Sequence, residues 1–175
     1  MPFFSLGGAN HERVVVTVLR HERAVAAAAP GDASFAQDRQ RIQNGSSGNS
    51  NHTDHGSNWL AVEVAVWAGS FSAQFPAVFL ADHFARFHNA LLPLLHTSQG
   101  EATFSTREEQ LFLRVVGNNN DQGSMQVTGV ALAWPGEGEK CEFRLALDRA
   151  SLARTLRELA QLLATFPAAH SPTGC

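Results

Sequence analysis

The sequence predicts an α+β fold: an antiparallel sheet of six or seven strands, with two amphipathic helices packed on one face. Three observations lead there. Residues 58–67, NWLAVEVAVW, alternate strictly. Leu60, Val62, Val64 and Val66 point one way from a strand, and Trp59, Ala61, Glu63, Ala65 and Trp67 the other. Four short apolar runs follow Gly100, separated by turn-forming clusters. Two segments repeat leucine and phenylalanine at helical intervals. Two helices can cover only one face of such a sheet, so the other face is expected to be open or partly covered by a loop.

Each element has its own local reason. Residues 1–12 read as an N-terminal tail. Residues 13–20, RVVVTVLR, are β-branched and begin the first strand, assigned to 13–25. Residues 26–57 read as a disordered or mobile insertion, because 44–57, NGSSGNSNHTDHGS, has no apolar residue to offset its ordering entropy. The main α+β domain is expected over 58–167. Gly69 marks a turn, and Phe71, Ala73 and Phe75 form the return strand of a hairpin, which Pro76 ends or marks as an edge. Asp82 is the expected N-cap of a helix carrying Phe84, Phe87, Leu91, Leu94 and Leu95. Pro93 is expected to kink that helix or end it early, at about 3 kcal/mol if forced. Strands are expected at 101–105, 111–116, 124–134 and 141–147, joined by NNNDQG and PGEGEK turns into an antiparallel meander. Asp148 or Ser151 caps the last helix, whose stripe is Leu152, Leu156, Leu159 and Leu163, with Arg154 and Glu158 on its wet side. Phe166-Pro167 stops it, and 168–175 read as a flexible tail.

Composition narrows the function classes. With 175 residues, 44% of them hydrophobic, the chain suits one domain plus an insertion. Residues 58–175 hold eight Lys or Arg against eleven Asp or Glu. This mildly acidic balance argues against nucleic acid and fits a basic protein partner. Cys141 lies in an expected strand and Cys175 ends the chain, a poor disulfide framework that points to a reducing cytoplasm. No apolar run reaches the ~18 residues of a membrane span, and MPFFSLGG lacks the features of a signal peptide. No membrane partner is expected.

The chemical motifs are equally sparse. His52, Asp54 and His55 are metal-capable but sit in the loosest segment, where fixed ligand geometry is hard to hold. His83, His88 and His96 share a helix without an HExxH arrangement. Ser70 and Ser72 have no GxSxG elbow, and Cys141 has no activating neighbour in sequence. There is no GxGxxG or Walker loop. The chain therefore reads as non-enzymatic, with no catalytic residues, metal or cofactor expected.

A family pattern joins these pieces. An alternating strand opens on Asn58-Trp59-Leu60 after a first strand and a polar linker. A hairpin and helix follow, then an acidic strand from Glu101 to Thr106, then Leu111-Phe112-Leu113. The chain closes on a helix with Leu156, Leu159, Leu163, Phe166 and Pro167. This resembles the WapI-like immunity protein family of bacteria, over about residues 13–23 and 58–167. The long polar insertion and Pro93 depart from the pattern. The resemblance implies a cytoplasmic protein that binds and neutralises a cognate toxin domain without catalysis. The alternative is a small-ligand-binding or homo-oligomeric assembly module. Monomer and homodimer both stay open, edge pairing through the first strand being one route to a dimer.

Two surfaces are candidates for partner binding. The open sheet face is expected to carry Trp59, Glu63 and Trp67, joined by Phe112 and Arg114 and by Glu142 and Arg144. Tryptophan and arginine are favoured at interface centres. The plainer reading is that the tryptophans are core. The second surface is the acidic turns, Glu108-Glu109 and Glu137 with Glu139, which could steer a basic partner. Their plainer reading is solubility.

Overall fold

The computed structural model describes residues 1–8, 11–22, 58–117, 123–134 and 138–168. One order of elements occurs twice. The first half runs β1 (Phe3–Leu6), β2 (Arg13–His21), β3 (Trp59–Ala68), β4 (Phe71–Leu80) and α1 (Ala81–Thr97). The second runs β5 (Glu101–Ser105), β6 (Leu111–Gly117), β7 (Ser124–Leu132), β8 (Lys140–Asp148) and α2 (Arg149–Thr165). Each set of strands forms its own antiparallel meander, ordered β1-β2-β3-β4 and β5-β6-β7-β8.

The α+β class holds, but the single sheet of six or seven strands does not: there are two sheets of four. The expectation fails at α1. Instead of pairing with β4, strand β5 packs beside this helix, with the Phe104 ring 5.6 Å from Phe84 and 5.4 Å from Phe87. Nor do the helices lie on one face of one sheet. The inner rows of both sheets and the apolar stripes of both helices form one core. At its centre Phe4 of β1 meets Phe84 of α1 and Phe104 of β5, and Phe79 of β4 meets the same pair. Burial of this aromatic knot removes large apolar areas from water and is the main stabilising term available.

The N-terminus is a strand rather than a tail. Only four residues long and flanked by Pro2 and two glycines, FFSL is too short to show its alternation, yet Phe4 and Leu6 are fully buried. It pairs with Val14–Thr17 of β2. Strand β2 is therefore interior, and the dimer route through its edge is closed. The edge on this side, β1, is covered by α2. Thr155 Oγ1 donates to the Ser5 carbonyl at 2.6 Å, and Glu158 Oε2 accepts from Ser5 N–H at 2.7 Å and Ser5 Oγ at 2.8 Å. Covering an edge in this way blocks unwanted pairing. It also corrects the wet-side reading of Glu158, which is half-buried against a strand 153 residues away.

The remaining elements follow their local chemistry closely. In β3 the row Leu60, Val62, Val64 and Val66 is buried as read. Gly69, at φ 59°, takes the first central position of the two-residue loop to β4, where II′ hairpin turns favour glycine. Helix α1 starts at Ala81 with Leu80 as an N-cap lacking a side-chain bond. Asp82 sits inside the first turn instead and accepts from Asn58 Nδ2 at 3.0 Å. Pro93 does not end the helix, which continues to Thr97. Pro93 and Asn89 are both exposed, so the carbonyl that loses its donor lies on the wet side. Asp148 caps α2 by accepting from Ser151 N–H at 2.6 Å. The buried stripe of α2 ends on Leu162, with Leu163 only partly buried. The expected first strand beyond Glu22, the insertion at 26–57 and the tail from 169 lie outside the described residues, as do His52, Asp54, His55, Glu137 and Cys175.

Candidate partner-binding surface

Side-chain parity puts each expected residue on an outer face, but two sheets mean two outer faces. Trp59, Glu63 and Trp67 lie on the outer face of the first sheet. Trp59 and Glu63 are half-buried, and Trp67 is 37% exposed with the Arg13 guanidinium 5.0 Å over its ring. Phe112, Arg114, Glu142 and Arg144 lie on the outer face of the second. The one continuous face expected from sequence is therefore split, because β3 and β6 belong to different sheets.

The second sheet's face has a distinct order. One cross-strand row is Ser105, Phe112, Val130 and Glu142; the next is Thr103, Arg114, Thr128 and Arg144. Arg114 bonds Glu101 at 2.6 Å, which holds the Glu101 carboxyl below its ordinary range and raises Arg114. Lys140 bonds Glu142 at 2.5 Å and lowers that carboxyl likewise. Both pairs are exposed and add little stability. Arg144 makes no ion pair among the described residues. Shallow hollows of about 560 and 500 Å³ flank it.

The fold joins this face to the acidic turns. In a meander, the β5–β6 and β7–β8 turns must fall at the same end of the sheet. Leu132 N–H donates to the Gln110 carbonyl at 2.9 Å, tying the two together. The turn bearing Glu108 and Glu109 is tied by bonds to both ends of the hairpin. Thr106 is buried and its Oγ accepts from Leu111 N–H at 3.2 Å, while Glu109 adopts φ 55° and donates to the Thr106 carbonyl at 3.1 Å. Glu139 stands across from them, exposed.

Two residues at this end were not singled out by sequence reasoning as contact groups. Phe71 is 77% exposed and Trp134 is 68% exposed. Phe71 and Ala133 line a common crevice of about 670 Å³ between β4 and the ends of β7 and β8. Trp134 follows directly, and Phe112, near the start of β6 opposite Val130, lies on the outer face at the same end of the second sheet. The legible signal was Trp134 standing in a Pro/Gly turn, where no core can bury it.

Other titratable groups offer less. His83 is held below its usual value, first by burial and then by Arg86, and its Nδ1 has no partner among the described residues. Among the described residues no cluster of three His, Cys, Asp or Glu could hold a metal, and no helix is long and apolar enough to cross a membrane.

The fold is a two-sheet α+β domain with Phe71, Phe112 and Trp134 exposed and acidic turns at one end of the second sheet. The chain belongs to the Immunity protein WapI-like family, whose model matches residues 31–167. The match begins beyond β1 and β2, so the first strand, expected to share the resemblance, lies outside it. No curated protein matches the chain. Among solved structures it is similar to "Crystal structures of trypanosoma bruciei MRP1/MRP2", with 14% identity over 65% of this chain and 72% of that one and a TM-score of 0.40. It is also similar to "CdiA-CT/CdiI toxin and immunity complex from Enterobacter cloacae", with 10% identity over 58% and 88% and a TM-score of 0.36. At such scores neither likeness bears on function.

Proposed function

We propose that this chain is a cytoplasmic immunity protein that binds a cognate bacterial toxin domain and neutralises it by occlusion, without catalysis or cofactor. Family membership supports the class. The observation that supports the docking site is the exposure of Phe71, Phe112 and Trp134 at the end of the molecule where the turns bearing Glu108, Glu109 and Glu139 fall. Exposed aromatics supply anchors whose burial dominates binding energy. Acidic groups around them raise the encounter rate with a basic partner and fix its orientation. The outer face of the first sheet, with Trp67 already covered by Arg13, is the lesser candidate.

The test is co-expression with the toxin domain encoded beside this chain, read by co-purification and by rescue of cell growth. Wild type is expected to form the complex. Changing Glu108 and Glu109 to Lys should slow association about tenfold or more at low salt, with the difference shrinking as salt rises. Phe112→Ala should raise Kd by about tenfold or more, while Trp67→Ala leaves it unchanged. Absence of both complex and rescue would overturn the proposal.

A further inference from the structure

The end of the molecule that carries the acidic turns also carries a strand edge with no partner among the described residues. Strand β4 is the last strand of the first sheet, and β3 pairs with it on one side only. Adjacent residues in an antiparallel strand turn their backbone groups alternately toward and away from the neighbour. Pro76 fixes which is which. It lies within the paired length opposite Glu63 and has no N–H, so its position is one that faces away from β3. Ser72 and Gln74 share its parity. The two-residue loop agrees, since Ala68 and Phe71 form its closing hydrogen-bonded pair. The N–H and C=O groups of Ser72 and Gln74 therefore point outward. Both residues are exposed, and among the described residues no backbone group pairs with them.

Residues 71–75, the stretch that contains both, form one wall of the crevice. Its apolar lining is Ala73 and Phe75 on β4 and Ala131, Ala133 and Cys141 opposite. Its rim is acidic. Glu142 is neutralised by Lys140, but Glu139 has no ion pair among the described residues, and Glu108 and Glu109 lie at the same end. An open main-chain edge above an apolar hollow selects an extended polypeptide rather than a helix or a small molecule. The charge selects a basic one. It disfavours a second copy, since pairing β4 with itself about Ala73 would bring two acidic rims together.

We infer that the toxin is captured by strand addition. An extended segment of it, with one apolar side chain between Lys or Arg residues, pairs with β4 at Ser72–Gln74 and places that side chain in the crevice. The segment is short, because Pro76 offers no donor and stops the pairing. This rests on the immunity reading above and adds how the partner is held.

The test uses the full chain and the same toxin domain. In the complex, hydrogen exchange at the Ser72 and Gln74 amides should slow by tenfold or more. Gln74→Pro removes one outward donor at an edge position that tolerates proline, so the melting temperature should be retained while Kd rises tenfold or more. Glu108 and Glu109 changed to Lys serve as the comparison, since they alter encounter without touching the edge. If wild type and Gln74→Pro bind alike and both amides exchange at the free rate, strand addition is overturned and the immunity reading stands. If wild type binds no toxin domain, both fall. If Ser72 and Gln74 are protected in the free chain at high concentration and the chain elutes as a dimer, the edge belongs to a second copy and the inference is overturned.

Discussion

Glu158→Ala tests the covering of β1 by α2. The Glu158 carboxylate accepts two hydrogen bonds from Ser5, from its N–H at 2.7 Å and its hydroxyl at 2.8 Å. Hydrogen bonds to a charged group contribute about 1.5–3 kcal/mol each, and less where water can replace the partner. The hydroxyl can turn to water, whereas the Ser5 N–H is held against α2 by the Thr155 bond to the same residue. Loss of one fully effective bond and part of another sets the cost at about 2–3 kcal/mol. Glu158→Gln keeps one acceptor oxygen and should cost about 1 kcal/mol, as should Thr155→Val, which removes the donor to the Ser5 carbonyl. The double change Thr155→Val with Glu158→Ala should fall short of the sum, because both act through Ser5. Urea titration followed by tryptophan fluorescence would read these values. In a thermal melt the Glu158→Ala loss corresponds to a drop of roughly 4–12 °C for a chain of this size. A loss below about 0.5 kcal/mol would refute the reasoning, since it would mean that water serves Ser5 as well as α2 does.

Two further outcomes follow from the core. A Cβ added at Gly129 would lie 2.1 Å from Cζ and 2.3 Å from Cε2 of Phe143, its cross-strand partner, so Gly129→Ala should destabilise by about 1–3 kcal/mol in urea. Phe143→Leu in the same chain should recover part of the loss, and an additive pair would contradict the contact. His83 is disfavoured as a cation by burial, so its folded pKa lies below 6.5 and the unfolded chain binds more protons as pH falls. Its contribution is complete above pH 6.5 and is lost as pH falls through the folded value. His83→Leu should therefore flatten the melting temperature between neutral pH and pH 5, and an unchanged slope would discard burial as the cause.

Much of the element plan was legible because it is written in local periodicity. Strict alternation over Leu60–Val66 placed the buried row of β3, and spacing along Phe84–Leu94 placed the face of α1. Asp148 or Ser151 ahead of a leucine stripe placed the start of α2, and the structure assigns the cap to Asp148. Where local signals were short or ambiguous the reading slipped. Four residues of β1 could not establish a period, and Asp82 looked like a cap because aspartate suits both that position and the first turn. Pro93 does not end α1, because its cost depends on whether the orphaned carbonyl is buried, and Asn89 is exposed.

The candidate surface divides along the same line. Sequence alone determined that Trp59, Glu63 and Trp67 share a face, that Phe112 and Arg114 share one, and that Glu108, Glu109 and Glu139 stand in turns. Parity along a strand is fixed by the pleat, residue by residue. Only the tertiary structure decided that these faces belong to different sheets, that the acidic turns meet at one end beside Phe71 and Trp134, and that Glu158 reaches Ser5. Every strand offers the same backbone donors and acceptors, so its own residues do not name its neighbour. That choice was made by the core, where Phe104 of β5 packs against Phe84 and Phe87 of α1.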